Sequence, residues 1–139
     1  MAGEHFPWDA SLETGDELID DQHRSLFALA NNLQDAIETH ADDAETVTDA
    51  VYRLTDYVVE HFADEEAFMD RCGYPAAECH KKLHGDLTAQ TMSLAARAFN
   101  GEDLLPATIA PFLTAWLTGH IRAEDMLLVA FARSTGASA

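Results

Sequence analysis

Several residue types that mark special classes of protein are scarce in this 139-residue chain. It has only seven glycines and four prolines, no internal repeat and no low-complexity linker, which argues against disorder and against a repeat fold. No apolar run is long enough to span a membrane, and the opening ten residues have neither the basic nor the apolar region of a signal peptide. We therefore expect one globular domain in the cytoplasm, without a membrane anchor.

Basic residues and cysteines are also scarce. Eight lysines and arginines stand against 25 acidic residues, giving a net charge of −17. Nucleic acids and anionic membranes both bind basic surfaces, so we expect neither as a partner. The acidic excess is expected to be a solvated surface, which would also suit a high-salt cytoplasm. Cys72 and Cys79 form no metal-type C-x-x-C pair, and in a cytoplasmic chain we expect both thiols to be free.

Apolar residues recur at helical spacing in four segments, which predicts four amphipathic helices. After an arm at residues 1–16, these helices are predicted at about 17–39, 44–71, 76–100 and 111–133. Asp42 or Asp43 suits the cap of the second helix, Pro75 the start of the third and Pro111 the start of the fourth. Four helices of about 20 residues with short connections predict an all-α, up-down-up-down antiparallel four-helix bundle, a single domain over residues 1–139.

Polar side chains occupy positions in the apolar stripes where the helical pattern calls for core residues. They comprise five of the seven histidines and one glutamate: His23, His61, Glu65, His80, His84 and His120. Each buried polar group without a partner costs roughly 1–3 kcal/mol, which is heavy for a domain whose net stability is about 5–15 kcal/mol. We therefore expect these side chains to bind something in the core. His5 and His40 are expected at the surface.

The spacing of these residues is that of metal ligands on helices. His61 and Glu65 are four residues apart, as are His80 and His84, and this spacing aims both side chains of a pair at one point. A rise of about 1.5 Å per residue also places both pairs and His23 at similar heights in the bundle. The sequence therefore predicts a metal site in the core.

Four runs together resemble the bacterial single-domain hemerythrins: "IDDQH" (19–23), "HFADEEAFM" (61–69), "GYPAAECHKKLH" (73–84) and "WLTGHIRAED" (116–125). The resemblance extends from about residue 8 to residue 125 and implies a non-haem di-iron centre with seven protein ligands. It implies that His80, His84 and His120 hold one iron. It implies that His23 and His61 hold the other iron, and that Glu65 and Asp125 bridge the two. Helical geometry alone favours Glu124, four residues after His120, over Asp125, five residues after it. The resemblance favours Asp125.

The resemblance also implies reversible O2 binding, in a carrier, store or buffer rather than an enzyme. Two six-coordinate irons (Fe2+/Fe3+) joined by an oxo or hydroxo bridge would leave one of about 12 positions open, on the iron held by two histidines. Trp116, Leu117 and Ile121 flank His120 and would form a dry O2 pocket. No glutamate lies three residues before a histidine, unlike the Glu-x-x-His pairs of ferritin-like proteins.

Three alternatives stay open from the sequence. The same site could reduce nitric oxide or peroxide with an external electron donor, or it could be an O2 or redox sensor that acts through a partner. A structural zinc site is the third alternative, although zinc prefers four ligands and seven are predicted. Apart from O2, the expected partners are an electron donor or an O2-consuming enzyme.

Residues around the predicted site have expected positions as well. Leu127 and Phe131 belong to the predicted inner face of the fourth helix. Glu66 is about 100° from Glu65 around its helix and should face outward, so its replacement should matter less. Trp8 is expected to pack the arm against the bundle.

Overall fold

The computed structural model describes residues 6–39, 43–102, 111–137 and 139. Four helices form the fold: α1 (Glu17–Thr39), α2 (Ala44–Cys72), α3 (Ala77–Phe99) and α4 (residues 111–134). These described residues contain no β-strand, and the predicted all-α four-helix bundle is confirmed. None of the described helices is both long and apolar enough to cross a lipid bilayer. His5, His40 and Asp42 lie outside the described residues.

Contacts at both ends show that α2 and α3 run antiparallel. The Thr48 hydroxyl lies 3.5 Å from the Ala98 carbonyl oxygen, which joins the start of α2 to the end of α3. The Lys81 ammonium lies 2.7 Å from a carboxylate oxygen of Asp70, which joins the start of α3 to the end of α2. Residues near the end of α2 therefore lie beside residues near the start of α3.

The helix ends follow from local chemistry. The Asp43 carboxylate accepts a hydrogen bond from the Thr46 N–H and caps α2. Gly73 ends α2 with a φ of 66°, in the left-handed region that glycine adopts without strain. Pro75 lies two residues before α3 rather than at its first position, in a turn where the Ala77 N–H donates to the Tyr74 carbonyl.

The buried residues form two apolar clusters with a polar layer between them. Along α1, Ile19 belongs to the smaller cluster and Leu26 to the larger, with buried His23 between them. The same order occurs along α4, where Asp125 separates two buried apolar positions. The buried polar side chains of α1 and α4 therefore lie at one height in the bundle.

The arm packs against α1, as expected for Trp8. Its ring meets Phe27 edge to face, with the centroids 5.4 Å apart, and the Arg24 guanidinium lies 5.1 Å from the Trp8 ring centroid. The Phe6 N–H donates to Asn31 Oδ1 at 2.8 Å. Cys72 and Cys79 are free thiols, as predicted.

Candidate metal centre

The polar layer consists of seven buried side chains: His23, His61, Glu65, His80, His84, His120 and Asp125. Their ligand atoms form two overlapping groups, and within each group these atoms lie within 4.8 Å of one another. The three-histidine group comprises His80, His84 and His120 with both carboxylates, and the two-histidine group comprises His23 and His61 with the same carboxylates. The structure therefore brings together all seven residues predicted from the sequence.

Each carboxylate lies across the boundary between the two groups. Glu65 Oε1 is 3.0 Å from His80 Nε2, whereas Glu65 Oε2 is 3.2 Å from His61 Nε2. Asp125 Oδ1 is likewise 3.0 Å from His80 Nε2, whereas Asp125 Oδ2 is 3.0 Å from His23 Nε2. One oxygen of each carboxylate thus faces each group, which is the arrangement that bridging ligands need.

Several of these buried atoms have no hydrogen-bond partner among the described residues, although they lie close together. They include one oxygen of Glu65, both oxygens of Asp125, and the Nε2 atoms of His23, His80 and His120. A buried polar atom without a partner costs about 1–3 kcal/mol. Two metal ions would satisfy these atoms, and imidazole with carboxylate is a donor set that suits iron. The residues present fit a di-iron centre.

The pKa values of the layer indicate that, without metal, protonated histidines balance the charges of the two carboxylates. Burial alone would lower the pKa of His23, but contacts with Asp125 and Glu65 outweigh it and raise that pKa to about 9. The pKa of His80 is raised to about 9 by the same opposing causes. Burial and the Glu65 charge would raise the pKa of Asp125, but contacts with three histidines lower it to about 2. The pKa of Glu65 is lowered well below its usual range, because contacts with four histidines outweigh burial.

The backbone of α4 explains why Asp125 reaches the layer. Two of its segments are π-helical, Ala115–Gly119 and Ile121–Asp125. A π-helix places one more residue in each turn than an α-helix, so residue i+5 takes the direction that i+4 has in an α-helix. Asp125 is completely buried, with Oδ1 3.2 Å from His120 Nε2. The α-helical argument for Glu124 therefore does not apply to α4.

The same π-helical segments change which residues face the core in the part of α4 that follows them. Leu127 is 62% exposed, whereas Leu128 is completely buried. The prediction that Leu127 faces inward is therefore wrong, because it assumed α-helical spacing throughout α4. Phe131 is half-buried and contacts Tyr74, with ring centroids 5.5 Å apart.

Comparison with known proteins gives the family. The family model described as "Hemerythrin HHE cation binding domain" matches residues 14–132. The chain belongs to the hemerythrin family. It is 35% identical over 123 residues to the Bacteriohemerythrin of Pseudomonas aeruginosa, covering 87% of this chain and 77% of that protein. It is 31% identical over 118 residues to the Bacteriohemerythrin of Methylococcus capsulatus, covering 85% and 88% of the two chains.

Solved hemerythrin structures have the same fold. A crystal structure of wild-type hemerythrin matches with a TM-score of 0.82 and 30% sequence identity, covering 89% of this chain and 95% of that chain. A crystal structure of a hemerythrin mutant matches with a TM-score of 0.84 and 29% identity, covering 92% and 97%. The resemblance inferred from the four sequence runs is confirmed.

Three of the layer's histidines contact polar groups through the ring nitrogen that faces away from the carboxylates. His61 Nδ1 lies 2.7 Å from Gln22 Oε1, and His84 Nδ1 lies 3.0 Å from Glu66 Oε2. His120 Nδ1 lies 3.4 Å from Glu124 Oε2. The prediction that Glu66 faces outward is wrong, because its half-buried carboxylate lies beside α3 and accepts from His84.

Gln22 was missed by sequence reasoning. Its position beside His23 gives no reason to expect a contact with His61 on another helix. The available signal is general: a metal-binding histidine usually donates its second ring N–H to an acceptor, so the sequence near each predicted ligand can be searched for acceptors.

A small cavity adjoins the two-histidine group. Its volume is about 10 Å³, roughly the space for a single water molecule. Its wall contains four of the predicted ligands and four other residues: Leu26, Trp116, Leu117 and Ile121. The three residues predicted to form a pocket thus lie in its wall. Phe62 lies nearby and stacks on His84, with the rings 6° from parallel and 3.8 Å apart.

Proposed function

We propose that this chain binds O2 reversibly at a non-haem di-iron centre and acts as a carrier, store or buffer for O2. The observation that carries the proposal is the unequal division of the polar layer into a three-histidine and a two-histidine group that share two carboxylates. A site with fewer protein ligands on one metal leaves room there for an external ligand. The family membership of the chain supports the same function.

The ligand roles follow from the two groups. His80, His84 and His120 would hold one iron, and His23 and His61 would hold the other. Glu65 and Asp125 would bridge the pair, with an oxo or hydroxo bridge completing the centre. The two irons would supply the two electrons that reversible O2 binding requires.

The cavity supports binding at the two-histidine iron. His23 and His61 both line the cavity, whereas His120 is the one histidine of the three-histidine group that does. The shared Asp125 lines it as well. An external ligand in this space would therefore lie next to the metal with fewer protein ligands.

The other walls of the cavity favour reversible binding over further reaction. Apart from the proposed ligands they are apolar side chains, and the one N–H they offer belongs to Trp116, which does not ionise near neutral pH. Leu117 and Ile121 are each 2% exposed and keep bulk water away. An apolar wall without an acid or base would slow the proton delivery that would reduce bound O2 and oxidise the iron.

Reversible colour tests this function. Ferrous protein prepared without air should develop a visible absorption band in O2 and lose it on degassing, with one O2 bound for each pair of irons. A colourless or irreversibly bleached product would contradict the proposal. Sustained consumption of nitric oxide or peroxide in the presence of a reductant, without a reversible band, would assign the site to an enzyme instead.

The remaining functional expectations stay predictions from the sequence. They are a cytoplasmic location and a partner that either donates electrons or consumes O2. Co-purification from the native host with a reductase or an O2-consuming enzyme would support the second.

A further inference from the structure

The two groups of the metal centre have outer partners of different charge. In the three-histidine group, His84 contacts the carboxylate of Glu66 at 3.0 Å through Nδ1. In the two-histidine group, His61 contacts the neutral amide oxygen of Gln22 at 2.7 Å through Nδ1. Both contacts join side chains of different helices.

These contacts decide which ring nitrogen can hold a metal. His84 Nε2 is 3.1 Å from Glu65 Oε1, and His61 Nε2 is 3.2 Å from Glu65 Oε2, so both Nε2 atoms face the shared carboxylate. A nitrogen that binds metal must carry its lone pair, and the other nitrogen then keeps its proton. Nδ1–H therefore donates to Glu66 in one group and to Gln22 in the other.

Gln22 is itself held in one orientation. Its Nε2 donates to Asp64 Oδ2 at 2.9 Å, which leaves Oε1 turned towards His61. The resulting chain runs from Asp64 through Gln22 to His61 and crosses from α2 to α1 and back. A rotated amide would place two N–H donors against His61 Nδ1–H, so Asp64 protects the acceptor role of Gln22.

We propose that Glu66 and Gln22 are positioning residues that fix the metal-binding nitrogen of His84 and of His61, and that their different charges add to the difference between the three-histidine and the two-histidine metal positions. A hydrogen bond to a carboxylate is roughly twice as strong as one between neutral groups and makes the imidazole a stronger donor. Glu66 therefore strengthens the three-histidine position, and Gln22 orients the two-histidine position without adding charge. The inference rests on the proposed di-iron centre but not on O2 binding.

Cobalt titration of the metal-free protein tests the two residues separately. Co(II) has a visible spectrum that reports its ligands, and it requires no O2. Glu66→Ala should weaken the tighter of two binding steps by roughly 10–100-fold, and Gln22→Leu should weaken the other step by a similar factor. Glu66→Gln keeps an oxygen that accepts from His84, so it should restore the wild-type cobalt spectrum but only part of the affinity.

Exposed residues of the same type provide matched controls. Glu60→Ala removes a carboxylate from the exposed face of α2, and Gln90→Leu removes an amide from the exposed face of α3. Both controls should bind cobalt like the wild type. The melting temperature of each metal-free variant should be measured as well, because Glu66→Gln gives a folded comparison if Glu66→Ala does not fold.

The outcomes separate this inference from the proposed function. Cobalt binding by Glu66→Ala, Glu66→Gln and Gln22→Leu that matches the controls would overturn it, even if the wild type binds O2. Equal weakening of both steps by either variant, with no recovery of the spectrum in Glu66→Gln, would reduce these residues to a structural role and also overturn it. A wild type that binds two cobalt ions, but whose ferrous form binds no O2, would defeat the proposed function alone.

Discussion

His120 and Asp125 meet across five residues of one helix: His120 Nε2 lies 3.2 Å from Asp125 Oδ1. In an α-helix these positions would diverge, but the π-helical segment Ile121–Asp125 brings them to the same face. Glu124, which α-helical spacing favours, lies instead beside the opposite ring nitrogen of His120. Because the backbone of α4 is π-helical here, the carboxylates of Glu124 and Asp125 lie on different sides of the His120 ring.

This assignment predicts unequal effects of two neighbouring substitutions. Asp125→Asn should abolish stable loading of two irons, because Asp125 is the completely buried carboxylate that faces both groups. Glu124→Gln keeps an acceptor beside His120 and should weaken iron binding by no more than about tenfold. Iron content after gel filtration and the O2-dependent visible band measure both. Full iron loading of Asp125→Asn would remove Asp125 from the proposed ligand set.

The apolar wall of the cavity predicts a separation between stability and O2 chemistry. Ile121→Ala and the control Leu54→Ala each truncate a fully buried side chain and should each lower the free energy of unfolding by about 2–5 kcal/mol. Only Ile121 lies in the cavity wall, so only its truncation should admit water and speed the loss of the oxygenated colour in air. Chemical denaturation and the decay of the visible band measure the two effects. Equal decay rates in both variants would argue against a protective role for this wall.

The fold could be predicted from the sequence because its causes are local. Apolar spacing gave four helices, and Gly73 and Asp43 end or cap α2 as turn and cap residues do. The convergence of seven polar side chains also followed from spacing along α-helices, except at Asp125. At Asp125 the sequence resemblance favoured a position that α-helical geometry did not. The role of all seven side chains as iron ligands stays a prediction.

The features that could not be predicted depend on the π-helical backbone of α4 or on the rotation of one helix against another. Leu127 was assigned to the wrong face because π-helical turns have no clear signature in residue spacing. Glu66 was expected to face solvent because its angle around α2 was known but the position of α3 was not. Gln22 was missed for the same reason, since its contact with His61 joins two helices.

Removal of metal should destabilise the whole bundle. Among the residues that the structure describes, several buried polar atoms of the layer have no hydrogen-bond partner, and bound metal would satisfy them. A metal ion present at about 1,000 times its dissociation constant stabilises a folded protein by about 4.1 kcal/mol for a single site. The metal-free protein should therefore melt well below the loaded protein in differential scanning calorimetry. Equal midpoints would contradict a metal site in the core.

The raised pKa values of His23 and His80 predict how pH affects the metal-free protein. Both are about 9 in the folded state, above the ordinary histidine value of 6.5. A raised pKa contributes stability that is complete below about pH 6.5 and is lost as the pH rises through about 9. The metal-free protein should therefore become less stable between pH 7 and pH 10, as measured by chemical denaturation at each pH.

The zinc-loaded protein is the control for this pH dependence, because its ring nitrogens hold metal in place of protons. Loss of protons from His23 and His80 should therefore not lower the stability of the zinc-loaded protein between pH 7 and pH 10. Zinc loading at pH 7.5 should release close to one proton from each of these two histidines. Calorimetric titration in buffers of different ionisation enthalpy counts these protons. The carboxylates should release none, because the pKa of Asp125 is lowered to about 2 and that of Glu65 well below its usual range. Loading without proton release at pH 7.5 would show that metal does not replace protons on His23 and His80.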